Sequence, residues 1–367
     1  MTTQDIHEKL MFHLSSMGMM YPPREGLLNI LKANFSKAEA EVALLIPSHK
    51  IPLQGTSLAE ISKTSEIAME DLQKILNTLV DKGLLFSCKN KETGELGYAL
   101  HQAGFGFPQT FFWKGEVTPH SKSMAKQVLG YFNSEVTKET FGPEPIPFRF
   151  VPVDETIEPG TQAVLPYQAM EQIIKTANRI AVAYCMCRHS MKLIGRDCGH
   201  PTEVCMKFNE LADYIIEKGF AREISVEEAL EISKKASENG LVHFTDNAIG
   251  NVQQNCNCCG CSCWNLGRIK RRIIPRDEII ATYFIRETIS ENCVGCGNCI
   301  DICPADAVKL EENLAVVDNN WCIGCGVCVS KCPNKAIIIV PRGDIEDKLP
   351  EKDFQTLHNK ILKNRSS

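Results

Sequence analysis

The stretch CVGCGNCIDICP, residues 293–304, returns as CIGCGVCVSKCP, residues 322–333. Both runs have the spacing C-x2-C-x2-C-x3-C-P. Three cysteines so spaced wrap one loop around three irons of a cubane, and the fourth belongs to the neighbouring cluster. Cys293, Cys296, Cys299 and Cys332 are therefore expected to hold one [4Fe–4S] cluster. Cys322, Cys325, Cys328 and Cys303 are expected to hold the other. Gly295, Gly297, Gly324 and Gly326 allow tight turns and bring backbone amides near cluster sulfur. Pro304 and Pro333 end the loops. Zinc would call for C-x2-C pairs parted by a longer spacer, which the doubled run does not offer.

Working outward, the chain holds 18 cysteines in 367 residues, and all but Cys88 lie between Cys185 and Cys332. Nine precede the repeat. YCMCRHSMKLIGRDCGHPTEVC supplies Cys185, Cys187, Cys198 and Cys205; CNCCGCSC supplies Cys256, Cys258, Cys259, Cys261 and Cys263. Neither run has the repeat's spacing. C-x-C pairs, and the C-x2-C steps Cys256/Cys259 and Cys258/Cys261, can still present two thiolates to one metal centre. Five ligands within eight residues are too many for one cubane, so the two runs are expected to share ligands. One or two further iron–sulfur clusters are the expectation; zinc or plainly buried thiols are the alternatives. Arg188 is a candidate donor to cluster sulfur or a surface residue. His189, His200 and His243 are candidate ligands or packing residues. The basic run GRIKRR (267–272) neutralises clusters, docks an acidic partner or is a solvated helix face.

The residues from about 280 to 341 resemble a bacterial two-cluster ferredoxin. ATYFIRETISENC precedes the first motif, AVKLEENLAVVDNNWC lies between the two, and KAIIIV follows the second. Trp321 departs from that pattern. The middle segment resembles a module of anaerobes in which CxCR, two later cysteines, GLVH and CNCCGCxC precede such a ferredoxin. The resemblance implies single-electron transfer at low potential and an anaerobic setting, and leaves the precise function open.

Length suggests two or three domains, and 44% apolar residues suffice for ordinary cores. A crowd of cysteines in so long a chain, opening MTTQDIHEKL without a signal-type h-region, points to a reduced cytoplasm rather than a disulfide scaffold. No apolar run is long enough to span a membrane.

Four segments are expected, in an α+β build: residues 1–115, a winged helix-turn-helix; 116–267, a helical cysteine-rich domain; 268–343, the two-cluster domain; and 344–367, a polar tail that docks as a helix or frays. In the first, Ser57 caps LAEISKTS, Leu72, Ile75, Leu76, Leu79 and Val80 recur at helical spacing, and LLFSC and GYAL form a hairpin. FGPEPIPFRFVPVDETIEPG reads as a loop-rich strap.

A winged helix raises the possibility of DNA reading. Residues 1–115 carry 11 Lys and Arg against 12 Asp and Glu, and the second helix opens with Glu70 and Asp71. Carboxylates at that end oppose phosphate, so nucleic acid is not the expected partner. There is no P-loop and no G-x-G-x-x-G after a strand. The expected function is electron transfer to a protein redox partner, as a subunit of an oxidoreductase complex or an oligomer rather than a stand-alone enzyme. A redox-sensing regulator using the winged helix, and a reductase with an open cluster in the middle domain, are the competing readings.

Overall fold

The computed structural model describes residues 5–90, 93–153, 156, 169–343 and 349–366. Three helices, Ile6–Ser15, Glu25–Asn34 and Lys37–Leu44, open the chain. Ser57 then caps Leu58–Ser62 in a reciprocal box with Glu60. Helix Met69–Asp81 follows and buries Leu72, Leu76, Leu79 and Val80 along one stripe. Emptying one of those leucine sites to alanine costs roughly 2–5 kcal/mol. Strand β1 (Thr56–Ser57), β2 (Leu85–Lys89) and β3 (Leu96–Leu100) form an antiparallel sheet in the order β1-β3-β2.

The middle region departs from the helical expectation. Helices are present, but they flank a six-stranded antiparallel sheet. Its strands are β4 (Phe148–Val151), β5 (Ile180–Tyr184), β6 (Glu203–Phe208), β7 (Arg222–Glu223), β8 (Val242–Asp246) and β10 (Gln254–Cys258), in the order β4-β8-β10-β6-β5-β7. The strand β9 (Ala248–Gly250) lies outside this sheet. The reason is legible after the fact. β10 reads QNCNC, residues with poor strand propensity, and it is held by tertiary pairing to β6 and β8 rather than by intrinsic preference. Buried Asn257 is tied inside the sheet, its Nδ2 donating to the Val204 carbonyl at 2.8 Å.

Part of the proline-rich strap is likewise a strand. Phe148–Val151 pairs with β8, and Phe148 and Phe150 on one face join the main core while Val151 joins a second cluster with Val182 and Met206. Residues 154–155 and 157–160 of the strap lie outside the described residues, as do 161–168 after it and 344–348 of the tail.

In the C-terminal part, β11 (Phe284–Thr288) pairs with β14 (Ile337–Pro341), and β12 (Val308–Glu311) pairs with β13 (Leu314–Val317). Beyond them β15 (Glu351–Asp353) lies parallel to β9, and helix Phe354–Ser366 buries Phe354, Leu357 and Ile361. One apolar core runs from Leu10 through the middle region to Ile361. Tyr214 ties the first two regions, donating its hydroxyl to the Leu85 carbonyl at 2.9 Å. Among the described residues no helix is long and apolar enough to cross a membrane.

Candidate functional site

Seventeen cysteines gather at four places. Cys293, Cys296, Cys299 and Cys332 line one cavity of about 360 Å³. Cys303, Cys322, Cys325 and Cys328 line a second of about 340 Å³. The two are built alike. The amide of Ala307 donates to Cys303 Sγ at 3.3 Å, and the amide of Ala336 donates to Cys332 Sγ at 3.3 Å, so the last cysteine of each repeat receives the amide four residues on. Gly324 needs its missing side chain: at φ +59°, a Cβ would lie 2.2 Å from the Phe284 carbonyl oxygen. The cavities differ in depth. Cys296 is exposed and its neighbour Val294 is 63% exposed, whereas Cys322, Cys325 and Cys328 are buried.

Arg286 lines both cavities and is 1% exposed. One nitrogen donates to Thr288 Oγ1 at 3.1 Å, while Nε and Nη1 have no hydrogen-bond partner among the described residues. A buried cation with idle donors is costly in a bare protein. Between two sets of four thiolates it has anionic sulfur to face on both sides. That, with four thiols around each cavity, is the chemistry a pair of iron–sulfur cubanes fits.

The nine earlier cysteines divide six and three. Cys185, Cys187, Cys205, Cys256, Cys258 and Cys263 line a single cavity of about 720 Å³, roughly twice either of the others. Cys256 and Cys258 reach it together because they lie two residues apart on β10 and share a face. Cys205 comes from β6, and Cys185 and Cys187 flank the start of helix Met186–Leu193. The walls include Phe132, Phe141, Phe148, Phe244 and Trp264, and Gly104 and Pro108 close it from the N-terminal region.

Neighbouring thiols perturb one another in series. Cys187 lowers Cys185 to about 7, Cys205 lowers Cys256 well below the usual thiol range, and Cys187 lowers Cys263. Buried Lys207, two residues after Cys205, supplies positive charge: burial opposes its proton, and the Cys205 and Cys256 thiols outweigh that and raise it.

The remaining three, Cys198, Cys259 and Cys261, have their sulfur atoms within 4.8 Å of one another. The steps Cys256/Cys259 and Cys258/Cys261 are thus split between the two sites. Strand β10 ends at Cys258, and the chain leaves the sheet before the next cysteine.

Arg188 is 2% exposed, so its surface reading is overturned. Its Nη1 donates to the Asn257 carbonyl at 3.0 Å, and Nε and Nη2 have no oxygen or nitrogen partner among the described residues. Its charge is felt by Cys185 and Cys258 of the six and by Cys259 of the three. The histidines are engaged elsewhere. His189 Nε2 meets the Glu116 carbonyl at 3.0 Å, and His243 meets Ser237 Oγ at 2.9 Å and Asn257 Oδ1 at 2.7 Å. His200 stands outside the group of three thiols, though its backbone amide bonds Cys198.

The basic run joins the two cysteine-rich regions. Lys270 pairs with Asp306 at 3.3 Å, Arg272 donates to the Asp306 carbonyl at 2.6 Å, and the Arg272 guanidinium lies 4.6 Å from the Trp321 ring centre. Gly260, in the middle of CNCCGCSC, abuts the turn after Cys303; a Cβ there would lie 2.1 Å from the Pro304 carbonyl oxygen.

Two residues escaped the sequence reading, Arg286 and Lys207. Each has a signal in strand alternation. Arg286 sits at an inward position of FIRET, and Lys207 shares a face with Cys205 in EVCMKF. A charge at a core position of a strand marks a charge partner inside.

Residues 286–348 match the family model of the 4Fe-4S dicluster domain. No curated protein and no solved structure matches the chain. With that domain toward its C-terminal end and its wealth of cysteine, the chain is an iron–sulfur protein.

Proposed function

We propose that the protein passes single low-potential electrons between a donor and a partner oxidoreductase. The observation that carries this reading is the graded depth of its thiol sets, joined by backbone contact. Cys293, Cys296, Cys299 and Cys332 would hold a cluster at the surface, where Val294 and Cys296 present an edge to a partner. Cys303, Cys322, Cys325 and Cys328 would hold a buried one, and Arg286 between them would offset the negative charge of both. The six thiols of the middle cavity would hold further iron and sulfide, with Arg188 and Lys207 as counter-charges. When bound, such clusters supply reversible one-electron chemistry, and the protein sets the potential through amide donors, charge and dry walls. The Gly260–Pro304 contact links the middle region to the buried set.

Residues 1–115 read as a winged-helix domain, with residues 116–267 and 268–343 as the two cysteine-rich units. The first closes the middle cavity through Gly104 and Pro108 and turns the acidic start of helix Met69–Asp81 outward. That favours a protein-docking and shielding role over DNA. A reductase reading is favoured by one feature: the middle cavity has twice the volume of either other site and is lined by the amide side chains of Gln109, Gln254 and Asn257.

The test is iron and sulfide analysis of the anaerobically purified chain, with EPR during stepwise reduction. About eight irons from the paired motifs, plus more from the middle region, with signals that cycle, are expected. Zinc in place of iron in the paired motifs, or iron that does not cycle, would end the reading.

A further inference from the structure

We propose that Cys198, Cys259 and Cys261 form a separate mononuclear site for a thiophilic divalent cation of the zinc class, with an exchangeable fourth position. Cys198 Sγ and Cys259 Sγ are 3.9 Å apart, and all three sulfur atoms lie within 4.8 Å. A zinc–thiolate bond of about 2.3 Å in a tetrahedron puts two thiolates about 3.8 Å apart. Thiolates on different irons of a cubane stand farther apart, because the cluster core lies between them. The chain provides its own comparison. Among the described residues, neither the eight cysteines of the paired motifs nor the six of the middle cavity form any trio so compact.

Charge agrees with geometry. Three thiolates around a divalent cation leave one net negative charge. Arg188, buried, faces Cys259 and its charge favours the thiolate there. Access suits exchange: Cys261 is exposed and Cys198 is half-buried, so the site opens to solvent. No fourth His, Cys, Asp or Glu joins the trio among the described residues. Three protein ligands with a fourth position left to water or an incoming donor is the arrangement of reactive rather than purely structural zinc. The natural incoming donor at an open three-thiolate centre is another thiol. The proposal does not depend on the iron reading of the other fourteen cysteines, since zinc and iron are counted separately.

The experiment uses the full chain, purified anaerobically with zinc and iron both supplied. Elemental analysis is expected to find about one zinc per chain in addition to iron. In Cys261→Ser and Cys198→Ser, zinc falls at least five-fold while iron and sulfide stay at the parent level; the unchanged iron also shows that the chain has folded. Loss of iron in step with these substitutions, or no loss of either metal, overturns the proposal. X-ray absorption at the zinc edge of the unmodified chain covers the case in which a variant fails to fold. Three sulfur neighbours at about 2.3 Å and one lighter atom are expected. Adding a small thiol should turn the light neighbour into a fourth sulfur. Four sulfurs before that addition, or none, overturns the site, and an unaltered spectrum after it overturns the open position.

Discussion

The paired motifs and the middle region solve one problem, that of placing many thiols around a cavity, by different means. In the paired motifs three of four cysteines in each set come from one short loop, and only the fourth crosses from the other repeat. In the middle region the six thiols come from β6, β10, a helix start and the loop after β10, spread from Cys185 to Cys263. The first kind of site is written into local spacing. The second exists only once a six-stranded sheet has formed. Each region also buries one arginine between two thiol sets, Arg286 in one and Arg188 in the other. On the proposed reading the shared device is charge compensation, and the difference lies in how much fold must precede the metal.

The strongest way to break that comparison is to remove ligands from one side. Replacing Cys256, Cys258 and Cys263 together with serine takes half the thiols from the middle cavity. Metal binding and folding are coupled where ligands come from distant strands. The expected outcome is loss of the middle region's iron and loss of amide-exchange protection across β6, β8 and β10. The iron of the paired motifs should remain. The reciprocal variant, Cys293→Ser with Cys296→Ser, should lose about four irons and leave the middle sheet protected. If the first variant also strips the paired motifs, the two regions are not independent in the sense argued.

This difference explains what could be read from the sequence. The paired motifs assign each cysteine to a partner by spacing alone, and the same four-and-four grouping lines the two cavities. The helix of Leu72, Leu76 and Leu79 was equally plain, because its apolar period is local. The middle sheet was not. QNCNC and FRFV carry cysteine, amides, arginine and flanking prolines where a strand would be expected to carry β-branched residues. Their pairing comes from long-range contact, with Asn255 opposite Thr245 and Phe150 opposite Phe244. Cys259 and Cys261 part from Cys256 and Cys258 where β10 ends, and Cys263 returns to the six-thiol cavity from the loop beyond, neither of which composition marks.

A smaller effect is expected at the seam. Gly260→Ala puts a methyl against the Pro304 carbonyl and the Lys270 side chain. Carbonyl oxygen is part of the backbone and yields only if the loop moves. Overpacking of this kind costs roughly 1–3 kcal/mol. The two regions should keep their full iron content, because no ligand is touched. The rate at which the middle region is reduced through the paired motifs should fall, measured by freeze-quench EPR after rapid mixing with a reductant. An unchanged rate would mean that the Gly260–Pro304 contact is not the electronic link.

The smallest effect sharpens the parallel between the two arginines. Arg286→Met removes a positive charge that borders both cavities of the paired motifs, at nearly conserved volume. A cation next to an anionic cluster favours the reduced, more negative state, so its loss lowers the reduction potential. For a one-electron couple about 59 mV corresponds to a factor of ten in the equilibrium, and a shift on the order of 50 mV in both clusters is expected. Arg188→Met should move only the signals of the middle region. The metal-free chain should respond in the opposite sense. There Nε and Nη1 of Arg286 are buried without partners, so Arg286→Met should raise the stability of the metal-free chain by about 1–3 kcal/mol. Arg286→Lys keeps the charge but loses the planar fork, and should restore most of the potential. Lower potentials with a more stable metal-free chain would show that the arginine serves the clusters and not the fold. A destabilised metal-free chain with unmoved potentials would show the reverse, and would remove Arg286 from the comparison with Arg188.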